Sequence, residues 1–302
     1  MRILDLDSLH IFRAVVAEGG VVRAAARLNR VQSNVTTRIR QLEEKLGVAL
    51  FRREGRRLRL TAEGEKLLPY AERLLRLAEE ATLAMRSGLP LGQFRLGALE
   101  STAGVRLPPL LALYHARFPN VTVELSTGST GQLLNRLLKF EIDAAFVSEP
   151  FSAPELEALP VFIEELALVA PIGASLADAT QLARRTIIAF SQGCSYRRRL
   201  EEWLAAEKIS PERVLEFASY QAMAACVAAG TGVAVMPRSV LRDLSAIEQV
   251  ATHDLPPHIA ANRTHLVWRA PSSPAVEALL SLLRSEAADV PPRPSFLATG
   301  YL

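Results

Sequence analysis

Ser33, Asn34, Thr37, Arg38 and Gln41 stand at helical spacing within residues 32–46, opposite Val35, Ile39, Leu42 and Leu46. The apolar set recurs every three or four residues, the signature of one buried helix face. The polar set, opened by Gln32, carries hydroxyl, carboxamide and guanidinium groups. These groups hydrogen-bond base edges and phosphates. A shorter stretch, Val21 to Leu28, precedes them, and Asn29-Arg30-Val31 is a tight connector. Two helices joined in this way read as a helix-turn-helix that offers its second helix to the DNA major groove. For this stretch alone, the alternative is a helical hairpin with a solvated polar face.

A second group of residues points to the same chemistry. Arg52, Arg53, Arg56, Arg57 and Arg59 crowd a segment in which Leu58 and Leu60 alternate inward and Gly55 can take a turn. A small hairpin of this kind is a wing that meets phosphates or the minor groove. An arginine-rich solvated turn is the alternative. The charge distribution favours the wing. Residues 1–60 hold thirteen Lys and Arg against six Asp and Glu, although the formal charge of the whole chain is only +3. A basic head suits a polyanion.

The elements that position these groups are legible around them. Residues 5–18 form a first helix, with Leu6, Leu9, Phe12, Val15 and Val16 apolar, and Gly19-Gly20 ends it. Gly47 is a C-terminal cap for the 32–46 helix. Thr61 is an N-cap for a long helix to about Arg86. Leu67, Ala71, Leu74, Ala78, Ala81 and Met85 step along it by three and four, with Leu68, Leu75 and Thr82 beside them and Pro69 inside. The stripe is too long for one small domain to cover, so the helix is expected to pair with its counterpart in a second subunit. An interdomain helix packed on its own chain is the alternative.

Residues 88–92 form a hinge, after which short strands alternate with helices. Strands are expected at 94–99, 121–126, 144–147, 186–190, 214–217, 232–236 and 264–268. Helices are expected at 105–118, 130–139, 196–206, 220–229 and 274–287. A second unit is expected to start after residues 161–170. This is α/β with mainly parallel sheet, in two lobes joined by two crossovers. The division expected is a DNA-binding domain at 1–60, a linker and dimerisation helix at 61–87, a hinge at 88–92, and an effector-binding domain at 93–302. Its lobe one takes about 93–161 and 266–290, and lobe two about 162–265. The Pro-rich tail from Pro291 is expected to be loose.

Other chemistry finds little support. The five histidines form no metal motif or triad spacing, and no nucleotide-binding glycine fingerprint stands out. An enzyme is therefore not expected, nor a catalytic, metal or cofactor site. Asp5, Asp7 and His10 interrupt any leader-like run, and no long uncharged apolar run marks a membrane span. Cys194 and Cys226 lack metal-ligand spacing and suit a reducing cytoplasm.

The head resembles the LysR-type transcriptional regulators. The matching pieces are Leu9 to Phe12, Ala24-Ala25 with Leu28, Gln32-Ser33, Ile39 to Glu43, Leu46-Gly47, Leu50-Phe51 with Arg53, and Leu60-Thr61 with Gly64. Gly230 to Pro237 resembles the family's effector domain. Gly193-Cys194-Ser195-Tyr196-Arg197 resembles a subgroup that includes regulators of putrescine use. Two departures stand out. Gly19-Gly20-Val21 replaces the family's usual Gly-Ser-Phe, and Asn34 and Thr36 replace small residues.

The resemblance implies a winged helix-turn-helix, a long linker helix and a two-lobed periplasmic-binding-protein-like α/β domain that binds a small-molecule effector. It implies a ligand-responsive transcriptional regulator binding double-stranded DNA, a dimer through the linker helix, a tetramer of two dimers, and RNA polymerase as a further partner. A binding module with a basic accessory head is the alternative. Gln32, Ser33, Asn34, Thr37, Arg38, Arg52, Arg53, Arg56 and Arg57 are the expected DNA contacts. The resemblance points to Glu100, Ser101, Thr102, Ser129, Thr130, Ser148, Glu149, Cys194, Ser195, Tyr196 and Ser219, with Tyr220 beside them, for the effector. Helix caps are the alternative for the hydroxyls, and solvated surface roles for the glutamates. If Glu100 and Glu149 both face inward, an amine or polyamine gains on Coulomb grounds; if both face outward, an amino acid or organic acid stays open. Cys194 either senses oxidants, with Arg197, Arg198 and Arg199 favouring its thiolate, or simply lines the cleft.

Overall fold

The structure is a computed structural model and describes residues 4–54, 57–87, 90–174, 186–244 and 247–289. It separates into two compact units, Met1–Leu89 and Pro90–Leu302.

The first unit runs α1 (Leu6–Ala17), α2 (Val21–Arg27), α3 (Gln32–Leu46), β1 (Phe51–Glu54), β2 (Arg57–Leu60) and α4 (Ala62–Ser87). Asp5 opens α1 by accepting the Ser8 N–H at 2.8 Å. Gly47, at φ +71°, closes α3 in the left-handed conformation that glycine adopts without strain. Leu9, Phe12, Ala24, Val35, Leu42, Leu50 and Ala71 are buried together and form this unit's core. That burial fixes which face of α3 stays outside. The Glu43 carboxylate accepts the N–H groups of Leu50 and Phe51 at 2.7 and 3.2 Å, which ties the hairpin to α3. β1 and β2 pair antiparallel, with Phe51 opposite Leu60. The expected turn residue Gly55, like Arg56, lies outside the described residues.

Thr61 sews α4 to the same segment. Its hydroxyl donates to the Ala49 carbonyl at 2.7 Å and accepts the Gly64 N–H at 3.0 Å, an N-cap as expected. Along α4, Ala71 is buried and Leu67, Leu68 and Leu75 pack on the core. Tyr70, Leu74 and Leu77, at helical spacing, are exposed to 57, 37 and 59 % along a strip that adjoins this face.

The second unit begins β3 (Gly92–Ala98), α5 (Glu100–Val105), α6 (Leu107–Arg117), β4 (Val121–Thr127), α7 (Thr130–Leu138), β5 (Ala144–Ser148), β6 (Glu157–Pro171) and β7 (Thr186–Phe190). It continues α8 (Ser195–Ala206), β8 (Arg213–Phe217), α9 (Tyr220–Ala228), β9 (Val233–Pro237), α10 (Arg238–Asp243), β10 (Val250–Asp254), α11 (Pro257–Ala260), β11 (Ala261–Trp268) and α12 (Pro274–Asp289). The strands lie in the order β4-β3-β5-β11-β6-β9-β7-β8, and β10 pairs with β6.

One expectation is corrected here, and one element is added. The sheet is mixed, not mainly parallel. β3 runs parallel to β4 and β5, and β7 to β8 and β9, but β6 and β11 are antiparallel to their neighbours. The cause is the long strand β6, which pairs with β11 over residues 157–165 and with β9 over 166–169. One strand thus serves both halves of the sheet. The added element precedes the helix expected at 105–118, which is present as α6 within two residues at each end. A helix starts earlier, at Glu100, and the chain breaks at Arg106, with Pro108 and Pro109 in the first turn of α6. Proline lacks the N–H that would continue the preceding turn, but is well suited to open a helix.

The two halves have separate cores. Phe94, Leu96, Leu110, Tyr114 and Phe146 fill the first, and α12 returns to it through Val276, Leu279 and Leu283. Val169, Ile188, Leu200, Met223 and Val235 fill the second.

Candidate functional site

α3 presents its polar face to solvent. Gln32, Ser33, Asn34, Thr37 and Gln41 are exposed, while Val35, Ile39 and Leu42 are buried. The Val31 N-cap makes no side-chain cap bond; the Asn34 N–H returns to the Val31 carbonyl at 3.1 Å, which leaves the Gln32 and Ser33 N–H groups to an outside acceptor. Arg38 is 42 % exposed and stands 3.8 Å from Asp7, a loose pairing. Asp7 is held more tightly by the Arg30 fork, at 2.7 and 3.0 Å. The hydrogen bond from Arg30 leads in holding the Asp7 carboxyl below its ordinary pKa. Thr36 turns its hydroxyl back onto the Gln32 carbonyl at 3.0 Å, which withdraws it from the outward set. Arg40 is also exposed on α3; its spacing of three from Thr37 was the signal available in the sequence.

In the hairpin, Arg52, Arg53 and Arg59 are exposed. Arg52 and Arg59 each reach Glu54 at 3.0 Å. Arg53 carries no ion pair among the described residues. Arg57 lies in β2 opposite Glu54, and Arg56 lies outside the described residues.

The second unit holds a cavity of about 240 Å³ between the two halves of its sheet. Of the residues singled out from sequence, Glu100, Ser129, Ser148, Cys194, Ser195 and Tyr196 line it, with Tyr220. The others lie nearby in different roles. Ser101, Thr102 and Thr130 are buried, and Ser219 is the N-cap of α9. Glu149 is turned toward Arg199 and His265, 3.5 Å from each. Glu100 and Glu149 therefore do not act as a pair on the cavity. Phe190 and Phe217 from strand ends, and Gln132 from the first turn of α7, also line the cavity and were missed. Strand-end aromatics look like core in a sequence.

Hydroxyls and main chain stitch the two halves together. Ser195 Oγ donates to the Ser148 carbonyl at 2.8 Å and lies 2.9 Å from the Thr130 hydroxyl. The Ser148 N–H donates to Thr130 Oγ1 at 3.2 Å, and the Asn262 amide to Ser148 Oγ at 2.5 Å. Ser101 and Tyr196 hydroxyls face each other at 3.4 Å. At the rim, the Gly131 N–H reaches the Gly193 carbonyl at 3.5 Å. Gly193 holds φ +91°, and a side chain there would press on Ser129.

Burial sets the electrostatics of the cavity. It raises the Glu100 carboxyl above its ordinary value, and the facing Tyr220 N–H pulls the other way. It also raises the Tyr196 and Tyr220 hydroxyls and the Cys194 thiol. The arginines beside Cys194 do not reverse this. Arg197 is paired with Glu201 and Glu216, Arg198 with Glu202, and Arg199 with Glu149. Their charge is spent on carboxylates. Cys226 packs half-buried against the second core. Among the described residues, no three His, Cys, Asp or Glu gather as a metal site, and no helix is long and apolar enough to cross a membrane.

Comparison with known proteins matches both units. Residues 6–65 match the helix-turn-helix of bacterial regulatory proteins of the lysR family, and residues 87–288 match the LysR substrate binding domain. The HTH-type transcriptional regulator GltR of Bacillus subtilis is 36 % identical over 288 residues, 93 % of this chain and 96 % of that one. The HTH-type transcriptional regulator YofA of Bacillus velezensis is 40 % identical over 255 residues, 84 % of this chain and 88 % of that one. The full-length structure of CbnR, a LysR family transcriptional regulator, shares the fold at a TM-score of 0.66 and 24 % identity, covering 94 % of this chain and 99 % of that one. A helix-turn-helix head, a long helix and an effector-binding α/β unit, matched at this level over nearly the whole chain, make this protein a member of the LysR family of DNA-binding transcriptional regulators.

Proposed function

We propose that the protein reads a paired DNA site through α3 and the hairpin, and that a small molecule in the cleft changes how its subunits are arranged on that site. The observation that carries this reading is the solvated polar face of α3 beside exposed hairpin arginines. Gln32, Ser33, Asn34, Thr37 and Arg38 supply base and phosphate contacts. Arg52, Arg53, Arg56 and Arg57 hold the backbone. CbnR, of like fold, has been crystallised with its target DNA, which supports the assignment.

The same reading divides the chain into a reading head at 1–60, a linker helix at 61–87, a hinge at 88–92 and an effector domain at 93–302. Tyr70, Leu74 and Leu77 leave an apolar strip on α4 for a second copy, and two such dimers make a tetramer. RNA polymerase is the further partner, and the cytoplasm the location. Glu100, Ser129, Ser148, Cys194, Ser195 and Tyr196 form the effector site. Buried Thr130, Ser101 and Thr102 support it, and Ser219 and Glu149 stand at its edge. The effector is an amine or polyamine, an amino acid or an organic acid. Closer kinship to regulators of putrescine use belongs to the amine version of this reading.

Coupling requires that the ligand favour one arrangement over another by a difference in affinity. Footprinting of the full chain on its own operator, with and without ligand, tests this. A footprint that shortens or shifts as ligand saturates the cleft supports the reading. An unchanged footprint at saturation removes it.

A further inference from the structure

We propose that the cleft takes a small organic monocation, an amine with an apolar body, with Glu100 as counter-ion and Phe190, Phe217 and Tyr220 as walls. This rests on the reading of the cleft as the effector site. Glu100 is the one formally charged side chain lining the cavity among the described residues; no Lys, Arg or His lines it.

An anion would ordinarily seek helix N-termini in such a cleft. Four border it: that of α5 makes no side-chain cap bond and carries Glu100 as its own first-turn acid, and at the other three the protein's own groups stand nearest. At α7, Ser129 accepts the Gln132 N–H and the Gln132 side chain accepts the Ser129 N–H, a complete capping box. At α8, the Tyr196 and Arg197 N–H groups face the Cys194 sulfur, too loosely for a formed cap but close enough to favour negative charge there. At α9, where Ser219 makes no cap bond, the Tyr220 N–H faces the Glu100 carboxylate. An incoming carboxylate would meet a resident carboxylate at one end of the cleft and a filled cap at the other.

A cation meets the reverse. It finds the Glu100 carboxylate and aromatic faces, with the Phe190 and Tyr220 rings edge-to-face at 4.7 Å. Ring quadrupoles and a partly buried carboxylate attract the same kind of group. The geometry also specifies one charge. Glu149, the second acid of this region, is engaged by Arg199 and His265 and does not line the cavity. A second ammonium finds no second carboxylate lining the cavity and is left to neutral hydroxyls and amides, which offset less of its desolvation.

Binding and protonation are then linked. Burial holds the Glu100 carboxyl above its ordinary value, and an ammonium favours its ionised form. Affinity therefore falls as pH is lowered through the Glu100 titration. Tyr196, Tyr220 and Cys194, the other titratable groups lining the cavity, are raised by burial and stay neutral over that range.

Isothermal titration of the full-length protein tests the proposal, with phenethylamine, isopentylamine, putrescine, spermidine, benzoate and hexanoate as probes. The monoamines are expected to saturate and to weaken about tenfold or more in Glu100→Gln, with Glu100→Asp restoring part of the loss. Putrescine and spermidine are expected to bind more weakly than the monoamines, and the acids not to compete. Acids that bind in place of amines, polyamines that bind more tightly than monoamines, or amine affinity indifferent to Glu100→Gln would each overturn it. Should Glu100→Gln not fold, the pH dependence of amine binding to the unaltered protein decides: affinity flat from neutral to acidic pH overturns the assignment. A carboxylate that binds the cleft and shifts the footprint would sink this inference alone. Amine binding sensitive to Glu100, with the DNA footprint unchanged, would sink the regulatory reading alone.

Discussion

Gly64→Ala isolates the joint between the linker helix and the reading head. Alanine is the better helix former by about 1 kcal/mol, so on propensity alone the change stabilises α4. Packing reverses the sign. A Cβ at Gly64 would lie 2.2 Å from the Leu50 carbonyl oxygen and 2.7 Å from Leu60 Cδ2. The Leu60 methyl can turn aside, but the Leu50 oxygen is main chain. It accepts the Thr61 N–H at 3.0 Å, and the Leu50 N–H is itself held by Glu43 at 2.7 Å. The helix must therefore lift from the segment before the hairpin. Forced overpacking of this kind costs about 1–3 kcal/mol, and losing the Thr61 bond adds about 1 kcal/mol. Against the propensity gain, the net loss is about 1–3 kcal/mol. At about 4–8 °C per kcal/mol for a unit of this size, the head transition should fall by roughly 5–20 °C. Differential scanning calorimetry of the full chain reads this directly, because the effector domain's transition serves as an internal control. A head transition that is unchanged or raised would refute the argument from the Leu50 carbonyl.

Glu43→Gln keeps the shape of the tie between α3 and the hairpin but removes its charge. A charge-assisted bond is worth about 1.5–3 kcal/mol, so faster amide exchange is expected at Leu50 and Phe51 by hydrogen-exchange mass spectrometry; unchanged protection would contradict it. Arg53→Ala should weaken binding to all DNA sequences alike and flatten the slope of log affinity against log salt by about 0.9; a sequence-dependent loss at constant slope would show that Arg53 reads bases. Leu77→Asp, on the exposed strip of α4, should shift sedimentation equilibrium toward monomer with the helix content of the circular dichroism spectrum preserved, and a dimer of unchanged affinity would move the interface elsewhere. Asp7 titrates below its ordinary value, first through its hydrogen bond from Arg30, so its contribution to stability is complete above the unfolded-state pKa and is lost as pH falls through the folded one. Its side chain is 39 % exposed, so the effect is small; Asp7→Asn should flatten the acid limb of stability against pH, and an acid limb as steep as before would show that Asp7 is not linked.

The head was legible because its chemistry is local. Val35, Ile39 and Leu42 mark the buried side of α3 by spacing alone, and Gly47 and Thr61 mark its end and the next helix start. Burial of those three residues leaves Asn34 and Thr37 outside without any tertiary information. The effector unit was less legible because its site is made by pairing across long separations. Ser148 and Ser195 meet across 47 residues, and Ser148 and Asn262 across 114. Nothing in the alternating pattern shows that β6 runs on through both halves and makes the sheet mixed. Charge likewise hides direction. Glu100 and Glu149 look equivalent beside their strands, yet Arg199 and His265 draw one of them away. Phe190 and Phe217 read as strand core until the topology leaves their strand ends open to the cavity.

A selection of genomic DNA fragments on the purified full-length protein at near-physiological salt tests the DNA-reading assignment most directly, with the Asn34→Ala, Arg38→Ala double variant as control. The polar face of α3 predicts enrichment of a short inverted repeat that the double variant loses while keeping its fold. Enrichment of the same repeat by the double variant, or no enriched sequence with amines and organic acids supplied, would contradict it.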